Sequence, residues 1–366
     1  MTVSQASSLP EHLCKLLAAS PKANPRMVIF GNYGNGNLGD EAILSAILAT
    51  LRYRASVTVM SRRPDRVNAL HAIPSANALS VAGVRSLLRA DIVAIGGGGI
   101  FGNNMALLPR LLPLLALVLR MLGKSIVFVA IGAYTTTPGW IKPLLRVLAR
   151  TSAMTTVRDA ESAQVLGANS IVVPDPGMSI VATPASEVAG YLADLGVPVD
   201  ATLLAVSLKP AADPRVDIRQ KKVATAAIEH WLRAEPSGAV VLLCLSERGD
   251  HGHGMGRSDR TLADEVRHGL GDDPRVHLVE ADVTPWLMKG VIARCAVVVA
   301  HRLHAQMFAV DEGRPLLGMS WERKSDAFLD EMGLPRIDLS RNSRFDVTGW
   351  LGAHTSASST VALVDD

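Results

Sequence analysis

From residue 26 onward, short uninterrupted apolar runs alternate with longer amphipathic stretches, which predicts strands and helices in turn. MVIFGNYG (27–34) reads as a buried strand, 39–52 as a helix that begins at its acidic end, and SVTVM (56–60) as a second strand. DIVAIGGGG (91–99), SIVFVAIGA (125–133), AMTTVRD (153–159) and SIVVPD (170–175) follow, separated by helices near 84–90, 105–122, 138–150 and 160–167. These runs lack the polar alternation of a half-exposed sheet, so they predict parallel strands covered on both faces. The rhythm weakens over 181–200, a stretch with prolines at both ends and room for one short helix. It then restarts with strands at 203–209, 240–245, 276–280, 296–302 and 315–320, and helices near 219–234, 257–270, 285–294, 304–312 and 324–333.

The pattern predicts an α/β protein with two doubly wound, Rossmann-like domains facing a cleft. Its expected boundaries are a flexible N-terminal segment (1–25), a first domain (26–185), a linker (186–200), a second domain (201–345), and a closing helix with a tail (346–366). Ligands of such sheets bind outside the carboxyl ends of the strands. The length of 366 residues agrees with two domains, and an apolar share of 48% against 19% charged excludes a disordered chain. With 37 Lys+Arg against 34 Asp+Glu, the net charge of +3 is too mild for nucleic acid as the main partner, but leaves room for a local anion site. Cys14, Cys244 and Cys295 lie far apart, which argues against a disulfide framework and for a reducing compartment. Residues 1–25 lack the basic-then-apolar order of an export signal. The stretch 106–122 contains Arg110, Pro113 and Arg120 and falls short of the roughly 20 apolar residues of a membrane span. It reads as a buried or interface-lying helix, and the protein as cytoplasmic.

Four segments could carry chemistry. GNYGNGNLGDEAIL (31–44) closes the first strand with glycines and asparagines beside a helix N-terminus, where backbone N–H groups favour anions. Gly34, Gly36 and Gly39 fit a dinucleotide-binding GxGxxG by letter. No acid closes the second strand, however, and Asp40 and Glu41 crowd the helix start. Asp40 is read evenly as a functional carboxylate or as a helix cap. In IGGGGIFGNN (95–104), Gly97 and Gly98 belong to a bare backbone loop open to a ligand. In TVRDAES (156–162), Arg158 is either an anion ligand or half of an ion pair with Asp159. VVVAHRLHAQMFAV (297–310) sets His301, Arg302 and His304 at a strand-to-helix junction with positive potential, suited to phosphate or carboxylate. Arg323 and Lys324 repeat that arrangement after the next strand. His251 and His253 have the spacing of metal ligands but no evident third ligand, so no metal site is expected. GxSxG, HExxH and GxxxxGK[ST] do not occur in the sequence.

Taken in order, GNYGNGNLGDEAIL, DIVAIGGGGIF, VFVAIGA, TVRDAES, VVPDPG, VVVAHRLHAQMFAV and WERKSDAF resemble the polysaccharide pyruvyl transferase family over about residues 27 to 335. The resemblance implies a GT-B-like fold. It also implies transfer of the enolpyruvyl group of phosphoenolpyruvate to a sugar, leaving a pyruvate ketal and inorganic phosphate. It gives Arg302 and His304 the place of the family's phosphoenolpyruvate-binding R-L-H, Arg158 that of its central arginine, Lys324 that of its late lysine and Asp40 that of its N-terminal acid. Trp321 and Arg323 stand where the family motif has tyrosine and proline. The expected catalytic groups are Asp40, His304 and Arg158, with Arg302, Lys324, Gly97, Gly98 and Asn37 binding substrate. No cofactor or metal is expected beyond the donor, phosphoenolpyruvate. The expected acceptor is a sugar of a cell-surface glycan or its lipid-linked precursor, the latter bringing the protein to the inner face of the plasma membrane. Oligomeric state is left open. The alternative is a GT-B glycosyltransferase that uses a nucleotide sugar.

Overall fold

A computed structural model describes residues 8–102, 105–167, 169–248, 257–341 and 345–354. The chain forms two compact units that divide between Ile180 and Val181. The first is built on strands β1 (Arg26–Phe30), β2 (Ser56–Met60), β3 (Ser75–Ala76), β4 (Ile92–Phe101), β5 (Ser125–Ala133), β6 (Met154–Val157) and β7 (Ile171–Val172). They form one sheet in the order β3-β2-β1-β4-β5-β6-β7, every neighbouring pair parallel. Successive residues of a strand enter opposite faces, and both faces are covered. Val28, Phe30, Val93 and Ile95 enter one apolar cluster, whereas Met27, Ile29, Ile92 and Ala94 enter another.

The second unit has β8 (Leu203–Ser207), β9 (Ala239–Leu243), β10 (Val276–Val279), β11 (Val297–Ala300), β12 (Leu316–Ser320) and β13 (Arg336–Asp338). Their order is β10-β9-β8-β11-β12-β13, again parallel throughout. Every residue of β8, β9, β11 and β12 is buried, as their unbroken apolar sequences require. In each unit the chain builds outward from its first strand, then returns to that strand's other side. The reversal lies between β1 and β4 in the first unit and between β8 and β11 in the second. Open α/β sheets form their ligand crevices at such points.

The structure departs from the sequence reading at several places. Part of the expected flexible segment 1–25 is the helix Leu9–Ala18, whose Leu9, Leu13 and Leu17 join Leu44, Ile47 and Leu51 in the core. The expected linker 186–200 is mostly the helix Ala185–Asp194, packed on the helix Pro285–Arg294. Gly290 permits that approach, because a Cβ there would stand 2.6 Å from Val188 Cγ2. The short helix Pro64–His71 and the edge strands β3 and β13 carry too few apolar residues for periodicity to reveal.

Asp91 ties the amino-terminal approach to the sheet. It accepts from Lys22 Nζ at 2.6 Å and from the Arg26 backbone N–H at 2.9 Å. Partial burial works against its charge, but the bonds from Lys22 and Arg26 outweigh it and hold the carboxyl at about 2. A depressed carboxylate stabilises the fold above its ordinary value and loses that contribution as pH falls through the folded one. Wild type should therefore exceed Asp91→Asn in stability at neutral pH. The gap should close as pH falls from about 3.8 to about 2, as read by urea unfolding across that range.

Candidate functional site

In the first unit, candidate residues gather at the carboxyl ends of β1, β4, β5 and β6. Asn37 caps the helix Leu38–Leu51, its Oδ1 accepting from Gly39 N at 3.1 Å. The cap is therefore Asn37, and Asp40 lies one turn inside, buried, with Oδ2 accepting from Asn32 Nδ2 at 2.7 Å. Asn32 in turn accepts from Asn35 Nδ2 at 2.5 Å, which braces the glycine- and asparagine-rich loop. Glu41 takes a separate role. Its two oxygens accept from Gly34 N at 2.7 Å and contact His71 Nε2 at 2.9 Å, both side chains being buried.

The glycine run is a continuation of β4, not a loop. Gly97 and Gly98 have φ of +76° and +105°, which L side chains rarely adopt. The space beside them is filled by this chain's own groups. A Cβ at Gly97 would run into the Tyr33 hydroxyl, and one at Gly98 would stand 2.5 Å from Asp40 Oδ1. Gly99 is pressed in the same way by Tyr134 and Arg158. Tyr33 donates to the Gly96 carbonyl at 2.8 Å. Burial, then the nearby Asp40, Glu41 and Asp175, push its phenol well above the ordinary range, so it remains a donor.

Arg158 follows β6 with only 7% of its side chain exposed. Its Nη2 donates to the Tyr134 hydroxyl, and Nη1 and Nε face Asp175 at 3.4 Å and Asp159 at 3.6 Å. Burial opposes its charge, but Tyr134, Asp175 and Asp159 outweigh that and raise the guanidinium above its usual range. Both acids also cap helices, Asp159 through Ser162 N at 2.7 Å and Asp175 through Gly177 N at 2.9 Å. The Arg158–Asp159 ion pair is present, and Asp159 also caps the helix that follows. Beside the loop, a concavity of about 80 Å³ is lined by apolar Phe30, Ile100 and Leu112 and by polar Asn32, Ser61 and Asn77.

In the second unit, β8, β11 and β12 lie side by side and bring charged groups to their carboxyl ends. Arg302 is buried at the head of the helix Leu303–Asp311. Asp259 receives its Nε at 2.9 Å and its Nη2 at 2.5 Å, a fork that fixes the guanidinium plane. Asp259 also accepts from the N–H groups of Leu245 and Ser246, each at 3.0 Å. His301 Nδ1 meets Gln220 Oε1 at 2.7 Å. His304 is partly buried, its ring centroid 6.3 Å from that of Phe308. Lys324 stands in the first turn of the helix Arg323–Glu331, 3.2 Å from Glu322 Oε2. The other Glu322 oxygen binds Lys209 Nζ at 2.5 Å, a buried lysine that follows β8.

Tyr33, Tyr134, Asp175, Lys209, Asp259 and Glu322 were not singled out from the sequence. VVPDPG contains Asp175 and WERKSDAF contains Glu322, so motif context offered a signal for these two. Nothing local marks Asp259 or Lys209, whose partners are distant in sequence. His251, His253 and the stretch Asn103–Asn104 lie outside the described residues. Among the described residues, no group of three or more His, Cys, Asp or Glu is arranged to hold a metal ion.

Two substitutions probe these arrangements. Asp259→Ala should cost about 3–5 kcal/mol in denaturant unfolding, because it leaves the Arg302 charge buried without its counter-ion. Adding Arg302→Met should return a large part of that loss. Gly98→Ala should force Asp40 aside and require an unfavourable φ, costing at least about 1 kcal/mol by the same measurement.

The structure is similar to UDP-GlcNAc 2-epimerase from Neisseria meningitidis bound to UDP-GlcNAc, with a TM-score of 0.55 and 10% identity over 92% of this chain and 91% of that one. The enzyme of the same name from Methanocaldococcus jannaschii gives 0.55 and 13% over 89% and 90%. Anabaena HepE in complex with UDP-glucose gives 0.52 and 13% over 86% of each chain. At these identities the likeness shows the fold alone, which is GT-B-like. The sequence profile described as polysaccharide pyruvyl transferase matches residues 37–323. That span takes in Asn37, Asp40, Gly97, Gly98, Arg158, Arg302 and His304 and ends one residue before Lys324. Matched over most of its length, the chain belongs to the polysaccharide pyruvyl transferase family.

Proposed function

We propose that this protein transfers the enolpyruvyl group of phosphoenolpyruvate to a sugar of a cell-surface glycan or its lipid-linked precursor, forming a pyruvate ketal and releasing phosphate. The observation that carries this reading is the cationic set at the ends of β8, β11 and β12. Lys209, Arg302, Arg323 and Lys324 stand there with His301 and His304, and Asp259 and Glu322 are among the carboxylates that hold them in place. A small ester bearing both a carboxylate and a phosphate suits such a surface.

In this scheme the second unit handles the donor. Arg302, its plane fixed by Asp259, and Lys324 bind the anionic groups, and Arg158 is proposed as an anion ligand at the strand ends of the first unit. His304 contacts the phosphate and acts as general acid, the imidazole offering a ring N–H that can be handed to the substrate. A proton added to the methylene carbon makes C2 oxocarbenium-like, and one sugar hydroxyl adds there. Loss of inorganic phosphate and attack by a second hydroxyl close the ketal. Asp40 is the base on the acceptor hydroxyl. Asn32, which bonds Asp40, also lines the neighbouring concavity, which suits an acceptor sugar. Gly97 and Gly98 serve by admitting Asp40 and Tyr33 against the backbone, and Asn37 by setting the helix start. No cofactor or metal enters the scheme.

Incubation with phosphoenolpyruvate and candidate glycans should release phosphate and add a pyruvate-sized mass to the acceptor. His304→Ala should lower turnover by about 100-fold or more. Phosphate release near the wild-type rate in that variant would remove His304 from the chemistry. Calorimetric titration should show binding of phosphoenolpyruvate and not of nucleotide sugars; the reverse result would favour a glycosyltransferase.

A further inference from the structure

The helix Leu107–Met121 is apolar on two sides. Leu112, Ala116 and Leu119 pack into the core of the first unit. Leu107, Leu111, Leu114, Val118 and Met121 follow each other at spacings of four and three, and all are exposed, Leu107 at 69% and Met121 at 87%. The helices Val81–Arg89 and Ile141–Thr151 cover the same face of the sheet, since Leu87, Leu145 and Leu148 enter the same cluster. They add exposed Val84, Leu88, Trp140 and Val147 to the outer surface. Monomeric proteins rarely leave so many large apolar side chains exposed on one face without a use for them.

The charges carried by these three helices are of one sign. Between Asp65 and Asp159 the only acidic residue is Asp91, and it is engaged by Lys22 and Arg26. Exposed on the three helices are Arg85, Arg89, Arg110, Arg120, Arg146 and Arg150. None of these six is in an ion pair among the described residues. In a chain whose charges nearly balance overall, that is a strong local excess. A second copy docking by two-fold symmetry would set this cationic face against itself. An apolar stripe flanked by arginines, with a tryptophan at the margin, matches instead the boundary between acyl chains and anionic headgroups. Among the described residues, no helix is long and apolar enough to cross a membrane.

We infer that this three-helix face of the first unit binds the surface of an anionic lipid bilayer. The inference rests on the face itself and is independent of the donor chemistry. It also deepens the acceptor reading, because Leu108, Pro109 and Leu112 of the same central helix line the concavity beside Asp40's partner Asn32. A glycan held on a membrane lipid would then be presented close to that concavity.

The test is flotation of the full chain with phosphatidylcholine vesicles, with and without phosphatidylglycerol. The protein should float with the anionic vesicles only, and added salt should weaken the association. Arg110→Glu with Arg120→Glu, and separately Leu114→Gln with Val118→Gln, should each reduce binding by at least about tenfold while leaving the thermal midpoint unchanged. No association with anionic vesicles, equal association with neutral ones, or indifference to salt would each overturn the inference, and none of these depends on a variant folding. A concentration-dependent dimer abolished by Leu114→Gln with Val118→Gln would also overturn it, by giving the face to a second copy.

Discussion

The first unit is organised around a backbone that must carry no side chains. Along Gly96–Gly99 the places where Cβ atoms would stand are taken by the Val129 backbone, Tyr33, Asp40, and the Tyr134–Arg158 pair. Glycine is costly inside a strand, since it packs nothing and loses much conformational freedom. Here the cost is offset by what the vacancy admits: a buried carboxylate, two tyrosines and a guanidinium within van der Waals reach of one strand. Four consecutive glycines thus bring Asp40, Tyr33, Tyr134 and Arg158 against one strand at the reversal, where ligands of doubly wound sheets bind.

The buried cations follow one rule in both units. Arg158 has Asp175 and Asp159, Arg302 has Asp259, and Lys209 shares Glu322 with Lys324. A guanidinium without a counter-charge could not remain in such surroundings, so these carboxylates are conditions for having the cations there at all. They also hold them in fixed orientations. Asp259 does this most fully, since two guanidinium nitrogens and two backbone N–H groups converge on its carboxylate.

Much of the architecture was legible in the chain because long Val/Ile runs announce buried parallel strands without ambiguity. The interior strands β1, β2, β4, β5, β6, β8, β9, β11 and β12 were all foreseen. What escaped was peripheral: β3 is two residues long and β13 three, too short for any period to register. The helix Leu9–Ala18 was hidden because its apolar residues sit in a Ser/Ala/Pro-rich stretch that reads as a tail, although Leu9, Leu13 and Leu17 have helical spacing. For the candidate site, the strand-end motifs disclosed the cations but not their counter-ions. Arg302 and Asp259 are 43 residues apart, and Lys209 and Glu322 are 113 apart. Pairings of that kind are set by the order of strands in the sheet and leave no mark in local sequence. The glycine run was read as open to a ligand, whereas the structure fills its surroundings from within.

Asp40 and Glu41 are adjacent acids on one helix, and geometry separates their roles. A helix turns about 100° per residue, so neighbouring side chains must leave in different directions. Glu41 points to the loop and the helix Pro64–His71, where Gly34 N and His71 occupy both of its oxygens. It acts as a clasp between segments, and a group so engaged on each oxygen is poorly placed to accept a proton from substrate. Asp40 instead lies along the bare strand at Gly98, with an asparagine on one oxygen. Such a bond restricts the rotation of the carboxylate. The shorter side chain also matters, because it fixes the carboxylate close to the helix axis and to the strand end. The two adjacent acids are thus held by different segments, Glu41 by the loop and the helix Pro64–His71, and Asp40 by Asn32 beside the bare strand.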